Sequence, residues 1–119
     1  MESAIKILQQ IEQDKIESEK YLLSGAKDSS RYSRAVAIVE HELTQTEKCL
    51  LAARREIEKS RKYRSRRHWV IKTQFIYNRL AEEKNLSCTW ISESKIKRQW
   101  LHYVSLVAEI AIRLDDVQK

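Results

Sequence analysis

Arg55, Lys59, Lys62 and Arg66 fall at steps of four, three and four residues. On a continuous helix they form one stripe, flanked by Arg54, Arg61, Arg64 and Arg67. Cations so spaced can follow a row of phosphates, and the affinity of such contacts is largely electrostatic. Between Arg54 and Lys72 arginine outnumbers lysine six to three, which suits forked contacts to phosphate oxygens. That stretch holds nine basic residues against Glu56 and Glu58, whereas the rest of the chain holds fourteen basic and fifteen acidic residues. One segment therefore carries the whole net charge of +6. Like charges crowded together repel, and an anionic partner relieves that repulsion. Two other readings compete: an acidic protein patch as the counterpart, or plain solvation of a helix end, eased by Glu58 and Lys62 four residues apart.

Tyr63, His68 and Trp69 lie among these charges and have ring faces on which bases can stack. Trp69 also fits the apolar face of the helix that follows, so the core takes precedence there; Tyr63 has no such position. A second basic cluster, Lys95, Lys97 and Arg98 with His102, opens the last helical segment. Cations at a helix N-terminus oppose its dipole, and a phosphate or an acidic neighbour would offset that cost.

Other chemistry finds little support. His41, His68 and His102 sit on separate segments, and the His41-Glu42 pair fails the zinc-protease pattern because Gln45 stands where the second histidine belongs. One glycine and no proline leave no loop for nucleotide phosphates and no nucleophile elbow. Cys49 and Cys88 lack metal-knuckle spacing, while Asp115 and Asp116 are adjacent and point about 100° apart on a helix. The expectation is a protein without catalysis, cofactor, metal or small-molecule substrate. Two unrelated cysteines with no signal peptide predict reduced thiols in the cytoplasm. Apolar runs such as 104–108 fall well short of the roughly 20 residues that cross a bilayer, so no membrane partner is expected.

Helices must position these groups. The pattern predicts one all-α domain over 1–119, an antiparallel bundle of about four helices with long second and fourth members. The first runs from about Ser3, a cap candidate, to Leu23, with Ala4, Ile5, Leu8, Ile11, Ile16 and Leu22 or Leu23 as its stripe and Gly25 as its stop. Asp28, Ser29 or Ser30 caps the second, whose seam is Val36, Val39, Leu43, Thr46, Leu50, Ala53 and Ile57. The basic segment then either projects beyond the core or turns near 60–65. Trp69, Thr73, Ile76 and Leu80 give the third helix a face, with Asn85 as its stop. Ser92 or Ser94 caps the fourth, along which Ile96, Trp100, Tyr103, Val107, Ile110, Leu114 and Val117 step by four and three. Such seams also suit coiled-coil pairing between copies.

In size, helical pattern, basic surface and lack of catalytic motifs, the chain resembles the small helical subunits of CRISPR interference complexes. The run Ile91-Ser92-Glu93-Ser94-Lys95-Ile96-Lys97-Arg98 is similar to a Ser/Thr-rich, Lys/Arg-ended helix start found in some of them. The resemblance implies a non-catalytic protein of antiviral defence, present in several copies, that holds the backbone of RNA or single-stranded DNA without reading bases. The expected binding residues are Arg54, Arg55, Lys59, Arg61, Lys62, Tyr63, Arg64, Arg66, Arg67, Lys72, Lys95, Lys97 and Arg98. The alternatives are a helical scaffold that pairs with partner helices, and a helix-turn-helix DNA binder with its reading helix at 92–104. The latter lacks the usual turn glycine and needs Ile96 and Trp100 for the core.

Overall fold

The computed structural model describes residues 2–24, 30–60 and 66–117, with side chains over 3–24, 30–59 and 67–114. Every regular element among them is helical: α1 (Glu2–Ser24), α2 (Ser30–Glu42), α3 (Gln45–Ser60), α4 (Arg66–Glu83) and α5 (Glu93–Val117). The all-α expectation holds, with five helices where about four were expected.

The additional helix arises from a break in the expected second one. Leu43 and Thr44 leave the helical path. Glu47 N donates to Thr44 Oγ1 at 3.2 Å, and Thr44 N donates to Glu47 Oε1 at 3.0 Å. This reciprocal box satisfies donors at a new helix start. Val39 on one side of the break and Leu50, Ala53 and Ile57 on the other are buried as expected. The three-four rhythm reports which face is covered, and it passes through a break in the backbone unchanged. Glu47 Oε2 also accepts from Gln99 Nε2 at 3.1 Å, so one carboxylate caps α3 and holds α5.

The chain divides into two compact units, Met1–Glu42 with His102–Lys119, and Leu43–Leu101. In the first, Tyr32, Ala35 and Val39 of α2 are buried, as are Tyr103, Val107, Ala108 and Ala111 of α5. The Tyr103 hydroxyl donates to Glu40 at 3.2 Å.

In this unit α1 departs most from expectation. Ile5, Leu8 and Ile16 are exposed and Ile11 is half-buried; Leu22 is buried as expected, and Asp14 and Ser18 complete the buried face. Contacts to α2 explain the inversion. Tyr21 stacks on Tyr32 at 5.4 Å and its hydroxyl shares a hydrogen bond with Ser33 at 2.8 Å. The Tyr32 hydroxyl donates to Glu17 at 3.1 Å, and Arg31 lies 4.8 Å over the Tyr32 ring. Asp14 Oδ1 accepts from Gln10 at 3.1 Å and stands 3.8 Å from Arg31. Asp14 Oδ2 and Ser18 Oγ have no protein partner of hydrogen-bonding geometry, although Ser18 sits beside the Tyr32 hydroxyl. Polar and aromatic contacts, rather than the aliphatic stripe, decide which side of α1 faces inward. Gly25, Asp28 and Ser29 lie outside the described residues; Ser30 is the first residue of α2.

In the second unit α4 returns along α3. Gln45, Lys48, Cys49 and Ala52 share a groove with Leu80, Glu83 and Lys84, while further along Arg79 grips Glu56 at 2.9 and 3.0 Å. Leu50, Ala53, Ile57, Ile76, Tyr77, Ala81, Ile91 and Ile96 form the core, with Trp69, Leu80 and Leu86 packed against it. Trp69 is thus a core residue. The stop at Asn85 is as expected: its φ is 57°, Leu86 N donates to Ala81 O at 2.8 Å and Asn85 N to Glu82 O at 3.1 Å. This is the paired closure of a Schellman turn. Ser92, not Ser94, caps α5, its Oγ accepting from Lys95 N at 3.2 Å. Ile96, Trp100, Tyr103 and Val107 are buried as the pattern predicts, and Ile110 and Leu114 are half-buried.

Burial pushes the Cys49 thiol and the Tyr32 and Tyr77 hydroxyls above their ordinary values. The folded state keeps protons that the unfolded chain would release. Their contribution to stability is complete below the ordinary thiol value of about 8.5 and is lost as pH climbs through the raised ones. The thermal midpoint should therefore hold steady from neutral pH to that range and fall above it. Replacing Glu47 with Ala, which removes the α3 cap and the tie to α5, should lower stability by about 1 to 2 kcal/mol in urea titrations.

Candidate nucleic-acid interface

Charges along α4 run against its dipole. The first turn carries Arg66, Arg67 and His68 with no acidic residue, and the last turn carries Glu82 and Glu83 with no basic one. Each exposed charge at the wrong end costs about 0.3 to 1 kcal/mol at low salt. Helix stability alone would arrange these residues the other way round.

Beyond α4 the chain lies back along the same helix without regular structure, and one buried side chain holds it. Gln74 Nε2 donates to Thr89 O at 3.0 Å and to Asn78 Oδ1 at 2.7 Å, while Gln74 Oε1 accepts from Ile91 N at 2.6 Å. The backbone is pinned on both sides of Trp90. In extended chain, neighbouring side chains point oppositely. Ile91 enters the core, and Trp90 is left 65% exposed. Trp90 then lines a shallow groove of about 570 Å³ with Arg67, Val70, Ile71 and Glu93. One turn along α4 from Ile71 stands Phe75, 64% exposed, with the Lys72 ammonium 5.8 Å from its ring centre.

The expected binding residues separate into distinct groups. Arg54 is taken up by the fold: its guanidinium lies 4.2 Å over the Trp100 ring and 3.7 Å from Glu58, with only 15% of the side chain exposed. Arg55 is half-buried. Lys59, Arg67, Lys72, Lys95, Lys97 and Arg98 are exposed. Arg61, Lys62, Tyr63 and Arg64 lie outside the described residues, as does the side chain of Arg66. α3 ends at Ser60 and α4, which begins at Arg66, returns along α3, while Lys62 in the middle of the expected stripe lies outside the described residues. Lys59 and Arg67 instead share the end where α3 finishes and α4 begins. Glu93 lines the groove beside Arg67, so the first turn of α5, with Lys95, lies near the start of α4, whereas Gln99 further along α5 reaches Glu47 at the start of α3. Two stretches far apart in sequence thus contribute cations, Arg67 and Lys95, near the start of α4. Both acids of the basic run, Glu56 and Glu58, are engaged by Arg79 and Arg54.

The sequence reading missed Trp90 and Phe75. Trp90 lies in a segment with no periodicity to interpret, and Phe75, between Gln74 and Ile76, passes for core. The Lys72 and Phe75 spacing was the available signal. Ile96 and Trp100 are buried, so a reading helix starting at Ser92 would present Lys95, Lys97 and Arg98 instead. Among the described residues no group of three or more His, Cys, Asp or Glu side chains can hold a metal, and no helix is long and apolar enough to cross a membrane. No family model, curated protein or solved structure matches this chain.

The two kinds of arginine should differ in their effect on stability. Arg54→Ala, which uncovers Trp100, should cost about 1 to 3 kcal/mol in chemical denaturation. Arg67→Ala should stay within about 0.5 kcal/mol of the native chain.

Proposed function

We propose that this chain is a non-catalytic subunit that binds the phosphate backbone of RNA or single-stranded DNA, without base specificity, within a larger ribonucleoprotein. The observation that carries the reading is the set of exposed cations Lys59, Arg67, Lys95, Lys97 and Arg98 on the second unit, with Arg67 and Lys95 in helix first turns where the dipole disfavours them. Glu56 and Glu58 are already engaged inside the unit, so an external anion is the natural counterpart. Guanidinium and ammonium groups on exposed helix turns can contact phosphate oxygens of any sequence. The resemblance to CRISPR small subunits agrees with this reading, including several copies lying side by side along one strand.

A second reading, a helical scaffold, draws on the first unit. Ile5, Leu8 and Ile16 present an aliphatic strip on α1 that its own unit leaves uncovered, and Ile7, Ile11 and Ile112 line a groove between α1 and α5. Such faces suit a partner helix.

Fluorescence anisotropy with labelled single-stranded RNA and DNA across a salt series separates the two readings. The proposal expects binding at modest salt that weakens steeply as salt rises, with the log-log slope falling by about 0.7 for each of Arg67→Gln and Lys97→Gln. Absence of binding at low salt would remove the proposal and leave the scaffold.

A further inference from the structure

Trp90 and Phe75 are large flat rings left open to water beside an otherwise well-packed core, and neither is loosely held. The Gln74 amide fixes the backbone before and after Trp90, and Phe75 stands mid-helix on α4. Ile71 lies in the same groove as Trp90 and one turn, about 6 Å along the axis, before Phe75. The three make an apolar row, edged by Arg67 on one side and by Lys72 on the other. A purely electrostatic contact has no need of exposed rings. Aromatic rings also serve protein and membrane interfaces. Rings bordered by cations match a strand whose bases are unpaired, since bases offer π-faces while phosphates run alongside. Duplex bases are stacked on each other and cannot reach these rings.

Resting on the phosphate-binding reading above, we infer that Trp90 and Phe75 are base-stacking platforms that make this surface selective for single strands over duplexes. Glu93, which also lines the groove, repels phosphate and directs the backbone toward Arg67 and Lys72. Stacking involves ring faces alone, so the selectivity is for strandedness and not for sequence.

The test uses the full chain, a labelled oligothymidine strand and the same strand annealed to its complement, with far-UV circular dichroism to verify that each variant folds. Trp90→Leu and Phe75→Leu keep the apolar bulk and remove the ring. Each should weaken single-strand binding about tenfold, the loss of one stacked base, while the salt slope and the duplex affinity stay as they were. Trp90→Phe should recover most of the loss, and the quenching of tryptophan fluorescence by the strand should fall sharply in that variant, because Trp100 is buried and Trp69 is half-buried against the core. Salt-dependent binding that both Leu variants retain in full would overturn the stacking role and leave phosphate binding standing. Equal losses on strand and duplex would overturn the selectivity. No salt-dependent binding to either, or binding to anionic vesicles in place of both, would remove the underlying reading as well.

Discussion

Gln74 is the constraint on which the second unit turns. A stretch of chain lying against a helix without regular structure has backbone groups that need partners, and leaving them unmet in the interior costs about 1 to 3 kcal/mol each. A glutamine has both a donor and an acceptor at one end, so it can answer a carbonyl and an amide two residues apart. Gln74 does this for Thr89 and Ile91 from the wall of α4. With that register fixed, Ile91 falls into the core, Trp90 turns out, and Ser92 arrives where α5 must begin. The start of α5 beside Arg67 follows from one amide.

The same unit shows stability and charge placement in conflict. Its arginines solve two different problems. Arg54 and Arg79 hold Glu58 and Glu56 and so belong to the fold, Arg54 also covering the Trp100 ring. The macrodipole of α4 opposes the cations at its start. Natural domains rest on a margin of about 5 to 15 kcal/mol, and opposed charges of this kind consume part of it. Adverse placement at both ends of α4 is one of the observations behind the proposed phosphate contact.

How far the sequence could be read depended on whether a pattern measured burial or contact. The seams of α4 and α5 are apolar positions meeting a core, and periodicity found them. The stop at Asn85 was visible because a left-handed residue has few identities open to it. The break at Thr44 was hidden, since the rhythm of buried positions continued across it; the Thr44-Gln45-Thr46-Glu47 box was the legible sign. In α1 the pattern pointed the wrong way, because Tyr21, Glu17 and Asp14 draw their side of the helix toward Tyr32 and Arg31. At the candidate surface the cations were legible as a count. That Lys59 and Arg67 share an end depended on the return of α4 along α3, and the outward turn of Trp90 on hydrogen bonds from Gln74.

The inversion of α1 leaves that helix with two sides of similar merit. Inward lie a carboxylate oxygen and a hydroxyl without partners; outward lie Ile5, Leu8 and Ile16. Roughly a third of a revolution about its own axis exchanges one side for the other. Burial of each aliphatic side chain in the turned position would return about 1.5 to 3 kcal/mol, a sum comparable to the aromatic and ionic contacts given up. The seating of α1 is therefore decided by directional contacts from Tyr21, Glu17 and Asp14 more than by the hydrocarbon it hides.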